Sequence, residues 1–199
     1  MSRRRGKNPY KGDRFTKKAK GDGFEARSVY KLDEIQRRFR VLGQNRRVVD
    51  LGCYPGSWSR YAFQKVGRRG VIVGVDIEEP VGFPGTAIVR SVLEVTPEEI
   101  LDALGGPADV VLSDMAPRTT GNVLGDHVRQ LELAERAVDL ARALLRPGGH
   151  LVVKVFDGED AHAFVQGVRP SFDKVKRTRP EAVRQSSREF FLVCLAYQP

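Results

Sequence analysis

Residues 47–58 read Arg-Val-Val-Asp-Leu-Gly-Cys-Tyr-Pro-Gly-Ser-Trp. The first five, Arg47–Leu51, include β-branched Val48 and Val49 and apolar Leu51, which suits a buried strand. Gly52 and Gly56 then let the backbone turn tightly and approach a ligand without obstruction from a Cβ. Ser57 is placed to cap the helix that Trp58–Val66 predicts. Working outward, buried-strand character recurs at Val71–Ile77, Thr86–Val92, Asp109–Ser113 and Leu151–Phe156. Helical spacing separates these runs at Pro97–Leu104 and over a long segment from Leu124 to Leu145, whose stripe is Leu124, Val128, Leu131, Ala134, Val138, Ala141 and Leu145. Arg146-Pro147-Gly148-Gly149 stops that helix. A further helix is expected near 159–168. Two strands then follow at about 172–178 and 189–197 with no helical pattern between them, which predicts an antiparallel pair. The whole is an α/β chain with a doubly wound, seven-stranded, mostly parallel sheet and a terminal antiparallel strand.

Hydrophobic residues make up 41% of the 199 positions and can fill a core of ordinary size. No apolar run approaches the roughly 18 residues of a membrane span, and no secretory signal pattern opens the sequence. Cys53 and Cys194 stand far apart, and no metal-ligand spacing involves them or the three histidines. We therefore expect a cytoplasmic protein without a metal and without membrane association. The net charge of +9 lies in one place: residues 1–40 hold 14 Lys/Arg against 5 Asp/Glu, and the remainder is balanced. Residues 1–23 read as a basic flexible arm and 24–199 as one domain. A solvated tail would carry such charge too, but Tyr10, Phe15 and Phe24 interleave with Arg3–Arg5, Arg14, Lys17 and Lys18, a mixture suited to RNA. Residues 25–39 predict a helix with Val29, Leu32, Ile35 and Phe39 inward, so that Arg27 and Lys31 share the opposite face.

In such sheets, ligands bind beyond the carboxyl ends of the strands where strand order reverses. The glycine loop leaves the first strand there, and Asp76 ends the second, where a carboxylate can accept both hydroxyls of a ribose. A dinucleotide site would use G-x-G-x-x-G to hold a pyrophosphate. The spacing here is G-x-x-x-G, and Pro55 removes one amide donor. A cofactor with ribose and adenine but no phosphate fits better, which points to S-adenosylmethionine. Asp50 also suits a cationic ligand. The glycine loop alone would serve equally as a plain turn between strand and helix; Asp76 and the motifs that follow favour the cofactor.

Five segments occur in order: Ala26-Arg27-Ser28-Val29-Tyr30-Lys31-Leu32, the loop from Asp50 to Ser59, Leu112-Ser113-Asp114-Met115-Ala116-Pro117, Val152-Val153-Lys154-Val155-Phe156 and Ser187-Arg188-Glu189. Together they resemble the FtsJ-like (RrmJ-type) ribosomal RNA 2′-O-methyltransferases, from Phe24 to the end. The resemblance implies a Rossmann-like S-adenosylmethionine-dependent methyltransferase fold and methylation of a uridine ribose in the A-loop of 23S rRNA, on the assembled large subunit. It implies a catalytic quartet of Lys31, Asp114, Lys154 and Glu189, and cofactor contacts at Gly52, Gly56, Trp58, Asp76 and Asp114. RNA would be gripped by the basic arm and Arg27, by a monomer. The sequence departs from the family at Cys53, Tyr54 and Ser57. Where the family has an acid contacting adenine, this chain has Ser91, with Glu94 three residues on.

The chemistry suits these residues. A ribose hydroxyl is a poor nucleophile and must be oriented while its proton is accepted. A lysine serves as base where burial or a neighbouring cation disfavours its ammonium form. Lys154 lies in an apolar run and Lys31 would supply the cation. Asp114 ends the fourth strand; Glu189 reaches the same sheet edge if the last strand is antiparallel. Two other readings are a non-catalytic RNA-binding or ribosome-assembly factor that kept the fold, and a 2′-O-methyltransferase acting on another RNA. A nucleotide-dependent oxidoreductase is disfavoured by the loop spacing.

Overall fold

Runs of valine, isoleucine and leucine at 47–51, 71–76, 108–113 and 151–155 leave water together as the centre of one sheet. The computed structural model describes residues 28–117 and 123–199; the basic arm, Phe24 and Arg27 lie outside the described residues. Helix α1 (Val29–Phe39) is followed by β1 (Arg47–Leu51), α2 (Ser57–Val66), β2 (Val71–Asp76), β3 (Thr86–Val89) and α3 (Pro97–Leu104). Then come β4 (Ala108–Ser113), α4 (Val123–Leu144), β5 (Leu145–Phe156), α5 (Ala161–Val168), β6 (Phe172–Thr178) and β7 (Glu189–Tyr197).

The seven strands lie in the order β3-β2-β1-β4-β5-β7-β6. Six run the same way and β7 runs against both neighbours, pairing Lys154 with Phe191 and Phe156 with Glu189. Strand order reverses between β1 and β4, as expected for a doubly wound sheet. The antiparallel terminal strand is interior: β7 separates β5 from β6. Alternation along the strands feeds two cores. Val49, Leu51, Val73, Val111 and Val153 pack with Ile100, Ala137 and Phe164 of α3, α4 and α5. Val48, Ile72, Leu112, Val152 and Phe191 pack with Leu32, Ile35, Trp58 and Ala62 of α1 and α2. Among the described residues no helix is long and apolar enough to cross a membrane.

Several boundaries differ from the sequence reading. Strand β3 ends at Val89 rather than Val92, because Ser91 closes a turn: its Oγ accepts from Leu93 N–H and its carbonyl from Glu94 N–H. Helix α4 buries Ala134, Val138 and Ala141 of the expected stripe, with Leu131 packed against the same core. Val128 departs from it at 56% exposed, and Gln130, Ala137 and Leu144 also face inward; the side chain of Leu124 lies outside the described residues. Leu145 begins β5 instead of ending the helix. Ser57 is the first helical residue of α2, with Gly56 in the capping position and no side-chain cap bond. By contrast, α3 begins as its sequence suggests, with Thr96 and Glu99 satisfying each other's backbone N–H across a capping box.

Candidate active site

The loop after β1 is folded back by its neighbours. Gly52 and Cys53 both donate backbone N–H to the Val75 carbonyl, at 2.8 and 3.3 Å. Gly52 has φ +78°, and a Cβ there would lie 2.5 Å from Met115 Cγ, so only glycine fits between loop and β4. The Asp76 carboxylate accepts from Tyr54 N–H at 2.9 Å and from Glu78 N–H at 3.0 Å. It thus fixes the loop and still has lone pairs for a ligand. These segments surround a cavity of about 550 Å3 lined by Gly52, Tyr54, Val75, Asp76, Ser91, Asp114 and Met115 among others. That volume lies within the usual range for small-molecule sites, about 300–1,000 Å3.

Of the residues expected to hold a cofactor, Gly52, Asp76 and Asp114 line this cavity, and Gly56 and Trp58 do not. Trp58 is buried on the α1 side, its indole donating to the Ser28 carbonyl at 2.9 Å and its ring 5.8 Å from that of Phe191. At the far end Ser91 lines the cavity and Glu94 does not.

Asp50 is not in the cavity wall either. It is buried beneath the loop, where Ser59 Oγ donates to it at 2.5 Å. Burial pushes its carboxyl up to about 7, and the charges of Asp114 and Asp76 push the same way. The folded state therefore holds a proton that the unfolded chain releases near pH 4, and stability falls as pH rises from about 4 to 7. Asp50→Asn keeps an acceptor for Ser59 and removes that cost. We expect it to raise unfolding free energy at pH 8 by on the order of 2–4 kcal/mol, with the gain fading below pH 4. Urea titrations at the two pH values check this; an equal change at both would exclude Asp50 as the titrating group.

Beside the cavity four charged side chains converge from four elements. Lys31 comes from α1, whose apolar face is locked into the core and whose Asp33 accepts from Tyr61 Oη at 2.9 Å. Asp114 follows β4, Lys154 lies near the end of β5, and Glu189 begins β7. Lys31 Nζ is 2.7 Å from Glu189 Oε1 and 3.3 Å from Asp114 Oδ1. Lys154 Nζ is 3.2 Å from Asp114 Oδ1 and donates to the Asp114 carbonyl at 2.7 Å. All four side chains are 15% exposed or less. Two lysines and two carboxylates allow the cluster to balance its own charge, which burial requires.

Residues spread over 159 positions thus meet in one constellation beyond the ends of β4 and β5, and the match to a known family is correspondingly broad. The model of FtsJ-like methyltransferases matches residues 24–197. The chain belongs to the FtsJ-like methyltransferase family. It is 43% identical over 194 residues to a protein of Desulfosudis oleivorans named ribosomal RNA large subunit methyltransferase E, covering 94% of this chain and 93% of the relative. It is 48% identical over 193 residues to the protein of the same name from Sorangium cellulosum, covering 95% and 90%. A crystal structure from Plasmodium falciparum, described as that of a ribosomal RNA methyltransferase, superposes with a TM-score of 0.76 at 24% identity, covering 87% of this chain and 98% of that one.

Within this FtsJ-like frame, two residues that support the quartet escaped the sequence reading. Phe191 is fully buried beneath it, with Lys31 Nζ 5.5 Å from its ring centroid. Gln130 is 1% exposed and bonded to the main chain of β5. Phe191 was visible only as one of several apolar residues in its strand. Gln130 carried a weak signal: a polar side chain one position from the expected stripe of a long helix.

Proposed function

We propose that the protein is an S-adenosylmethionine-dependent methyltransferase that acts on a ribose 2′-hydroxyl of large-subunit rRNA, with a uridine of the A-loop as its target. The observation that carries this reading is the convergence of Lys31, Asp114, Lys154 and Glu189 beside a cavity whose wall includes Asp76 and Asp114. The names of the relatives support rRNA as the substrate class.

The cavity suits the cofactor: an acid ends β2 for ribose hydroxyls, and Gly52 leaves the floor open. When bound, S-adenosylmethionine supplies a methyl group made electrophilic by its sulfonium. Asp76 and Asp114 would hold the cofactor, and Ser91, which lines the same cavity, would be available to its adenine. Lys154 takes the proton of the hydroxyl. A neutral lysine amine has two hydrogens and one lone pair, and Lys154 Nζ has two acceptors at hand, the carbonyl and carboxylate of Asp114. The lone pair is thereby left for the substrate O–H. Lys31, held by two carboxylates and lying over an aromatic ring, stabilises negative charge developing on the ribose oxygen. Glu189 holds Lys31 in that position.

Mapping 2′-O-methylation in rRNA from cells with and without the protein tests the reading. The expected result is the loss of one uridine modification in the large subunit, restored when purified protein is added to the deficient subunits. An unchanged methylation pattern would overturn it. Residues 1–20 carry nine Lys/Arg and one acid, and we assign them a phosphate-gripping role. Their removal is expected to weaken RNA binding most at low salt and to flatten its salt dependence; unaltered affinity would exclude that role.

A further inference from the structure

Pairing between β4 and β5 ends at Ser113↔Val153. Beyond it, β4 departs as Asp114 turns toward the cavity, while β5 continues through Lys154 to Phe156 with β7 on its other edge. A main-chain donor and acceptor of β5 would be left without a strand partner in a buried place, which is unfavourable for both. Gln130 of α4 fills this gap. Its Nε2 donates to the Lys154 carbonyl at 2.8 Å, and its Oε1 accepts from Phe156 N–H at 2.8 Å. The carboxamide imitates the peptide group that β4 no longer provides. The two strands are thus spread apart and pinned on both sides: β5 by Gln130, and β4 by Lys154, whose Nζ reaches across to the Asp114 carbonyl at 2.7 Å.

We infer that Gln130 is a positioning residue for the proton-accepting lysine, its carboxamide fixing the main chain of β5 at Lys154 so that Nζ meets Asp114 in the gap between the strands. This rests on Lys154 taking the substrate proton. A lysine has four rotatable carbons of reach, so a floating backbone would let Nζ wander; displacement of about 1 Å at a reacting group can slow a reaction on the order of 100-fold.

Two variants separate this role from plain core packing. Gln130→Leu removes both bonds at similar size, and Gln130→Glu keeps an acceptor for Phe156 N–H while losing the donor to Lys154. In single-turnover methyl transfer, Gln130→Leu is expected to be roughly 10- to 100-fold slower. The midpoint of its pH–rate profile should be displaced, its cofactor dissociation constant should stay within about twofold, and the Phe156 amide should exchange faster. Gln130→Glu should fall between it and the parent. A rate within twofold of the parent, a slower rate with an unmoved pH midpoint, or a matching loss of cofactor affinity would each overturn the inference. If Gln130→Leu does not fold, Gln130→Glu decides by the same criteria. Failure of the underlying reading looks different: Lys154→Ala would then still transfer methyl groups, whereas failure of this inference leaves Lys154→Ala inactive and the Gln130 variants normal.

Discussion

Lys154→Met should slow methyl transfer by about 10³-fold, within the 10²- to 10⁴-fold range of general-base catalysis, while leaving cofactor affinity within a few-fold. Methionine keeps the length and apolar character of the stem, so the pocket in β5 stays filled. What disappears is the amine lone pair proposed to accept the substrate proton. The loss corresponds to about 4 kcal/mol of transition-state stabilisation. The cavity wall does not include Lys154, which is why rate and binding should separate. Asp114 retains Lys31 as a cation at 3.3 Å, so the carboxylate is not stranded. Calorimetry with the cofactor and single-turnover rates on modification-deficient subunits check both halves. A variant that methylates at the parental rate would remove Lys154 from the mechanism and leave Lys31 as the candidate base.

Phe191→Ala is expected to have the largest effect on stability. The side chain is fully buried on the α1–α2 face of the sheet, against Trp58 and under Lys31. Truncating a core phenylalanine removes transfer free energy and leaves a cavity, together about 3–5 kcal/mol. Against a total of roughly 5–15 kcal/mol for a domain, that is about a fifth at the least. The urea midpoint should fall steeply with the slope nearly unchanged. Phe191→Leu should cost distinctly less, because most of the volume is kept. An alanine variant within 1 kcal/mol of the parent would mean that α1 and Trp58 close over the space, and that the quartet sits on a more pliable floor than its packing implies.

The path from sequence to site was uneven for reasons visible in particular residues. Asp114, Lys154 and Glu189 were legible because each falls at a strand end, and a doubly wound sheet fixes which edge those ends share. Their convergence needed one more condition, the reversed direction of β7, which pairing of Phe156 with Glu189 meets. Lys31 was different: helical periodicity put it on a face, but only the family motif connected that face to the sheet edge. Ser57 was expected as a cap and became the first helical residue instead. Trp58, next to a glycine loop, has two local options, toward the ligand or toward the core. Here the indole found the Ser28 carbonyl 30 residues earlier. Gln130 was missed for a related reason. Its partners lie 24 and 26 residues away, and hydrophobic periodicity ranks a buried amide as a surface residue unless its hydrogen-bond partners are known. Ser91 became interpretable once β3 was seen to stop early and turn toward the cavity.

The interior position of β7 has a consequence for how the molecule is made. Translation delivers β6 before the strand that pairs with it, so β6 has no partner in the sheet until β7 has been made. Nine further residues, Glu189–Tyr197, must then slide between β5 and β6. Contacts of this kind are non-local, joining β7 to a strand made more than 30 residues earlier, and such contacts are slow to close. The same nine residues bring Glu189 and Phe191. Until they dock, Lys31 lacks both its nearer carboxylate and the ring beneath it, and the growing chain is an incomplete catalyst beside a ribosome full of RNA.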